Sequence, residues 1–323
     1  MNNIRRLPMA EKDRLVEFMN SNWGSSHPLI NNDVFFGYYY ADGDMTNFYI
    51  SEKDGEIIAV CGYIPSSKKE DSDIWISIWL AKKGHNGAGL ELMGKMKELT
   101  GAGVVSCNNI RRETMPFYTF LGWRPGELVH RYRLRDLKEY VICDISDRTI
   151  PSCEPSGAEL VTFDSIRKVE EHFDRFDLSR PGKDLWYVKR RYFTYPYYSY
   201  RVYGVKKDGS FPALAVFRVN EGEEGNVLRL VDYIGDPDDF RLLSGCIDPL
   251  MEQYSCEYCD IYCRGVDPES AGFRVRGKGD PNVIPNYLDP LWKKNIDYYY
   301  FTSDTDRFMM FKADGDQDRK NLG

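Results

Sequence analysis

The chain has 323 residues, a net charge of -7 and eight cysteines. This length exceeds the usual single core and predicts two domains, and the acidic balance excludes a general nucleic-acid binder, which needs a basic surface. Eight cysteines in so long a chain exclude a disulfide scaffold. No apolar run approaches the ~20 residues of a membrane span, and Met1 to Arg6 lacks an apolar signal-peptide core, so a cytoplasmic chain with no membrane partner is expected.

A short strand is expected over 4–7, ahead of Pro8, which suits a first helical position. Leu15, Phe18, Met19 and Trp23 then follow helical spacing. A loop carries His27-Pro28-Leu29, and a short helix is expected over 34–40. Strands follow near 46–51, 57–64 and 73–80, the first two joined as a hairpin at Lys53-Asp54-Gly55. In the third, strict alternation places Ile74, Ile76, Ile78 and Leu80 on one face and Trp75, Ser77 and Trp79 on the other. That strand runs into a turn with Gly84, Gly87 and Gly89, and the turn opens a helix that buries Leu92, Met96 and Leu99. A turn of this kind aims backbone N–H groups at one point, at the positive end of a helix dipole, and suits a pyrophosphate. Further elements are a strand at 104–107, a short helix at 116–121 ended by Gly122, and a strand at 129–134. Residues 136–157, with Pro151, Pro155 and Gly157, read as a connector in which 140–145 has strand character.

The second half repeats the first at an offset of about 150 residues. Lys207-Asp208-Gly209 echoes Lys53-Asp54-Gly55, strands at 213–219 and 227–234 echo 57–64 and 73–80, and Gly272-Phe273 echoes Gly122-Trp123. Where the glycine turn would recur stands Gly235-Asp236-Pro237-Asp238-Asp239, whose carboxylates repel a pyrophosphate, so this copy is expected to have lost cofactor binding. If 256–263 is a strand, Cys256 faces away from Cys259 and Cys263, and no histidine lies near. Buried strand cysteines are expected there, and no metal. Asp314, Asp316 and Asp318 alternate like the start of a calcium loop but lack its glycine and glutamate, so an exposed acidic tail is expected.

The glycines read G-x-x-G-x-G, the reverse of the dinucleotide fingerprint, and no Gly-Lys-Ser/Thr supports a Walker turn. The turn instead resembles the cofactor loop of the GNAT acyltransferases, Gln/Arg-x-x-Gly-x-Gly/Ala. Gly87 and Gly89 match its last two key positions, while Gly84 stands where Gln or Arg is usual. Tyr118 followed four residues on by Gly122-Trp123 fits a second family motif, and helices follow the first, fourth and fifth strands as in that fold. The resemblance implies an α/β (α+β) fold of two tandem GNAT-like domains, each a mixed, mostly antiparallel sheet flanked by helices. Residues 1–135 would form the acyl-CoA-binding domain, 136–157 the connector, and 158–323 a degenerate domain contributing to acceptor binding. It further implies that backbone N–H groups near Ile78, Trp79 and Leu80 polarise the acyl carbonyl. Lys83, Gly84, His85, Asn86, Gly87, Ala88 and Gly89 would hold the pyrophosphate, and Tyr118 would act as general acid on the departing sulfur.

The base is sought among four histidines. His27, with Asp33 to orient it, is the first candidate, because a histidine titrates near neutral pH. His130, on the strand closing the first half, is the second. A narrower resemblance is to tandem GNAT-like N-acyltransferases of nucleotide-linked amino sugars used in surface polysaccharides such as lipopolysaccharide O-antigen. It rests on His27-Pro28-Leu29 with Asp33, the run Trp186 to Tyr192, Val231-Asp232-Tyr233-Ile234-Gly235 and Phe311 to Asp318. It implies transfer of an acetyl or short hydroxyacyl group such as 3-hydroxybutanoyl from acyl-CoA to the amine of a dTDP- or UDP-linked deoxy sugar. Trp186, Tyr187, Lys189, Arg190 and Tyr192 would then meet the nucleotide diphosphate, and Asp232 a sugar hydroxyl or the amine. The rival readings are a tRNA-dependent aminoacyltransferase of peptidoglycan type and a non-catalytic CoA or sugar-nucleotide binder. The oligomeric state stays open between monomer and homodimer.

Overall fold

The computed structural model describes residues 2–321 except Asp177 and Asp289. The chain divides into two units, 2–125 with 300–305, and 126–299 with 306–321. Among the described residues no helix is long and apolar enough to cross a membrane.

Unit 1 opens with β1 (Asn3–Pro8). Pro8 does not start a helix. It still pairs with Met45, and a 3-10 turn, Met9–Glu11, separates it from α1 (Lys12–Asn22). Two short helices follow, α2 (Pro28–Asn31) and α3 (Asp33–Tyr40), the latter capped by Asn32, whose side chain accepts from the Phe35 N–H at 3.0 Å. Next come β2 (Ala41–Asp42), β3 (Met45–Lys53) and β4 (Glu56–Pro65). Asp54 and Gly55 join β3 to β4 with φ of 53° and 83°, the two positive values a tight hairpin turn needs. β5 (Ile74–Ala81), α4 (Asn86–Thr100), β6 (Val105–Ile110) and α5 (Met115–Phe120) complete the run. The sheet order is β1-β3-β4-β5-β6, antiparallel except for the parallel pair β5–β6.

The expected alternation along β5 breaks at Ser77. Tyr63 pairs with Ile76 and Gly62 with Ile78, so Ser77 is an extra residue, a β-bulge. Paired residues share a face. Ile74 and Ile76 therefore lie on the side of Trp79 and Ala81, and Trp75 on the side of Ile78 and Leu80. Helix α4 packs on the Trp79 side, where its Gly89 carbonyl accepts from Trp79 Nε1–H at 2.9 Å and its Leu99 carbonyl accepts from the Tyr49 hydroxyl at 2.6 Å. It buries Leu92, Met93 and Met96, and ends at Gly101 with φ 69°. Leu99 is only half-buried.

Unit 2 takes β7 (Arg124–Leu134) from Gly126 onward, β8 (Glu159–Thr162), α6 (Ile166–His172) and α7 (Leu185–Val188), which runs into a π-helical turn at Lys189–Phe193. Then follow β9 (Arg201–Lys207), β10 (Ser210–Glu221) and β11 (Asn226–Gly235), a 3-10 helix at Pro237–Leu243, α8 (Ile247–Gln253) and β12 (Cys256–Arg264). β13 (Arg274–Val275), β14 (Tyr298–Thr302, entering unit 1 at Tyr300) and β15 (Met310–Phe311) close the list. The sheet order is β7-β12-β11-β10-β9-β8, with β11–β12 its parallel pair. The repeat holds at backbone level. Asp208 and Gly209 turn with φ of 50° and 81°, and β11 carries a bulge at Val231, between Leu230 paired with Phe217 and Asp232 paired with Val216.

Three expectations fail in unit 2. No strand forms at 140–145, because the Glu257 carboxylate takes the N–H groups of Val141, Ile142 and Cys143, leaving one bridge, Asp144 to Val283. A register shift between Asn226 and Leu228 inserts a residue in β12, and Cys256, Cys259 and Cys263 all join one core cluster. Asp314, Asp316 and Asp318 are buried rather than an exposed tail, because Lys183, Arg319 and Arg218 bind their carboxylates.

Candidate active site

The parallel pair in unit 1 is short. Ile74 meets Val105 and Trp75 meets Ser106, and beyond these pairs β5 and β6 part. Along the parting edge the bulged Ser77 is held by the Tyr40 hydroxyl at 2.8 Å and the Gly62 carbonyl at 3.3 Å. β5 ends in the glycine turn. His85 N–H closes it onto the Lys82 carbonyl at 2.9 Å, and Gly84 sits at φ 88°, a conformation that favours glycine.

Lys83, Gly84, Asn86 and Gly87 are exposed. Among the described residues their backbone N–H groups meet no acceptor. The first turn of α4 contains no acidic residue and its cap position, His85, supplies no side-chain acceptor. The positive end of a fifteen-residue helix is thus left open to an anion. The glycines differ in purpose. A Cβ on Gly87 would meet open space, whereas one on Gly89 would stand 2.8 Å from Ala81 Cβ, so Gly89 serves the approach of α4 to β5. Ala88 and Gly89 spend their N–H groups on the His85 carbonyl.

Tyr118 lies on α5, buried in an aromatic stack. Its ring is 4.1 Å from Phe301 at 25°, 6.5 Å from Trp123 and 6.0 Å from Trp79. Burial pushes its phenol well above the ordinary tyrosine value, and the Cys107 thiol nearby adds to this, so the hydroxyl keeps its proton at neutral pH. Phe117 packs edge-on against Trp79 at 6.1 Å. Tyr118, Trp79 and the start of α4 are therefore brought together.

The predicted bases are not. His27 precedes α2 and meets Trp23 edge-on at 4.8 Å. Asp33 does not orient it. It opens α3 with its side chain 89% exposed and is taken by Lys12 at 2.6 Å. His130 belongs to the core of unit 2, stacked on Tyr262 at 4.0 Å. Its Nε2 meets Asp260 at 3.1 Å and its Nδ1 accepts from Arg276 Nε at 3.1 Å, so both ring nitrogens are engaged and neither lone pair is offered to a substrate. Burial lowers this imidazole to about 4, against the pull of Asp260.

The predicted acceptor residues also divide. Asp232 is fully buried, bound by Lys183 and by the Tyr192 hydroxyl, and Tyr187 is buried with Tyr192 edge-on at 6.1 Å. Burial works against the charge of Lys183, but Asp232 and Asp314 outweigh it and hold the ammonium above its ordinary value. These groups satisfy one another. Lys189 is exposed, and Arg190 lies over the half-buried Trp186 ring at 5.1 Å. Sequence reasoning missed Phe301 and the Tyr40–Ser77 contact. The first comes from the far end of the chain, and the second needs the bulge. Among the described residues no group of three His, Cys, Asp or Glu side chains is placed to hold a metal ion.

No protein-family model matches the chain, and no curated protein does. Solved structures do match its fold. A GCN5-related N-acetyltransferase from Anabaena variabilis aligns over 94% of this chain and 72% of its own, with TM-score 0.53 and 11% identity. A protein from Enterococcus faecalis, described as a probable N-acyltransferase, aligns over the same shares with TM-score 0.54 and 10% identity. The chain shares the mixed α/β fold of these structures.

Proposed function

We propose that the chain is an acyl-CoA-dependent N-acyltransferase whose cofactor cleft lies in unit 1. The observation that carries this reading is the opening between β5 and β6 beside the bare N-terminus of α4 and the protonated Tyr118. An extended thioester arm fits a gap between parting strands, and its pyrophosphate fits the exposed N–H groups of the Lys83 to Gly87 turn.

The reaction forms one N–C bond and breaks one C–S bond. An amine attacks the thioester carbonyl and releases its proton to water, since neither His27 nor His130 is brought to the cleft. The Tyr118 hydroxyl protonates the departing thiolate. Donors aimed at the carbonyl oxygen from the Ile78 to Leu80 backbone would stabilise the charge that develops there. The acceptor proposed is the amine of a dTDP- or UDP-linked deoxy sugar; within unit 2, the exposed Lys189, and Arg190 over the Trp186 ring, offer the cations and the aromatic face that suit a nucleotide diphosphate. Asp232 and Tyr192 are left out because they bind one another in the core, where Lys183 also binds Asp232, and Tyr187 because its ring is buried there.

The test is release of free CoA thiol from acetyl-CoA and 3-hydroxybutanoyl-CoA in the presence of a panel of amines that includes nucleotide-linked amino sugars. Turnover with a sugar nucleotide and not with simple amines supports the full reading. Turnover only with other amines keeps the acyltransferase and discards the acceptor, and no turnover with any amine overturns both.

A further inference from the structure

The slot that is open in unit 1 is filled in unit 2 by the chain itself. β11 and β12 run parallel through Asn226–Cys256, Leu228–Cys259 and Arg229–Asp260, then part as β5 and β6 do. One edge of β12 is occupied by β7 as far as Cys263. Its other edge, the one facing β11, pairs with β15, Cys263 with Phe311 and Arg264 with Met310. Across the slot the Ala313 N–H donates to the Val231 carbonyl of β11 at 3.0 Å. Residues 310–313 therefore bridge the parting strands as an extra short strand.

The fit is built from both sides. Met309, Met310, Phe311 and Ala313 are buried. Gly265, just past β12, has φ 92°, and a Cβ there would fall 2.2 Å from the Phe308 carbonyl oxygen and 3.0 Å from Met309 Cα, so the segment passes only because this residue is glycine. Beyond the slot the segment is anchored by charge. Lys183 binds Asp314 at 2.7 Å, Arg218 binds Asp318 at 2.6 Å, and Arg191 donates to the carbonyls of Ala313 and Gln317. At the mouth of the slot an open groove is lined by Pro237, Asp238, Arg241, Gly265 and Asp267, with two carboxylates to one guanidinium. The Asp236 side chain already caps the 3-10 helix there by accepting from the Asp238 N–H at 3.0 Å.

We propose that unit 2 keeps the strand slot as a peptide site, that its ligand is the chain's own segment 309–318 with its acidic residues read by Lys183 and Arg218, and that one chain therefore takes one acyl-CoA. This rests on the cofactor reading of unit 1. The test is hydrogen exchange of the full chain with and without acetyl-CoA, together with equilibrium dialysis to count bound acetyl-CoA. The expected result is one acetyl-CoA per chain, with new protection confined to 76–89. The Ala313 amide should exchange within about tenfold of the central β11 amides whether or not the ligand is present. Asp318→Asn should speed exchange across 309–318 and leave acetyl-CoA binding unchanged. Two acetyl-CoA per chain, ligand-dependent protection at 237–241, or fast exchange of Ala313 in the wild type would overturn the proposal. No acetyl-CoA binding with a slow Ala313 amide would instead refute the cofactor reading and leave the peptide site standing.

Discussion

Tyr118 keeps its proton because burial in the Trp79, Trp123 and Phe301 stack disfavours the phenolate. If it delivers that proton to the thiolate, Tyr118→Phe should lower kcat by about 10²–10⁴-fold. The KM for acyl-CoA and the melting temperature should barely move, as steady-state kinetics and a thermal melt would read. Its motif was legible because tyrosine and Gly122-Trp123 are close in sequence. His130 was misread because Asp260 and Arg276, which occupy it, are distant in the chain. Its lowered value of about 4, against an ordinary 6.5, means the unfolded chain binds more protons between those pH values. Its contribution to stability therefore falls as pH drops through that window. Asp314 acts oppositely. Burial raises it from 3.8 to about 6, so its contribution is full below the lower value and is lost as pH rises through the upper one. Removing the histidine separates the two. The melting temperature of the wild type should fall more steeply from pH 7 to pH 5 than that of His130→Asn, and parallel curves would refute the assignment.

At the scale of elements, the presence of β5, the turn and α4 was readable from apolar spacing and glycine alone, while the faces of β5 were not. The bulge at Ser77 was not, because a bulge is a property of two strands and only the pairing of β5 with β4 creates it. The same holds for 140–145, where strand-like residues give their N–H groups to Glu257. The two glycines of the helix offer a paired prediction. Gly89→Ala should destabilise by about 1–3 kcal/mol, since its Cβ would overlap Ala81. Gly87→Ala, in open space, should be neutral or stabilise by up to about 1 kcal/mol. Denaturant unfolding of both variants checks this, and equal effects would show that α4 does not approach β5 as described.

Over the whole molecule, the repeat was visible as scattered echoes and is carried by matching hairpin turns, matching bulges and a parallel pair in each unit. What could not be read was the fate of the last residues. Alternating aspartates look like a solvated tail until Lys183 and Arg218, far back in the chain, bury them. Asp318 and Arg218 form a buried pair, and removing one charge strands the other. Asp318→Asn should therefore cost about 3–5 kcal/mol in unfolding free energy, and a loss below 1 kcal/mol would place the segment outside the core of unit 2.

Binding of acyl-CoA by unit 1 should depend on the turn at the start of α4. Calorimetric titration with acetyl-CoA, run on the wild type and on Gly87→Asp, tests it most directly. An aspartate at the second residue of α4 suits the helix dipole and has room, yet it sets a carboxylate where the pyrophosphate would sit. The wild type should bind, and the variant should lose at least tenfold in affinity at a melting temperature no lower than that of the wild type. No binding by the wild type, or equal binding by both, would contradict this.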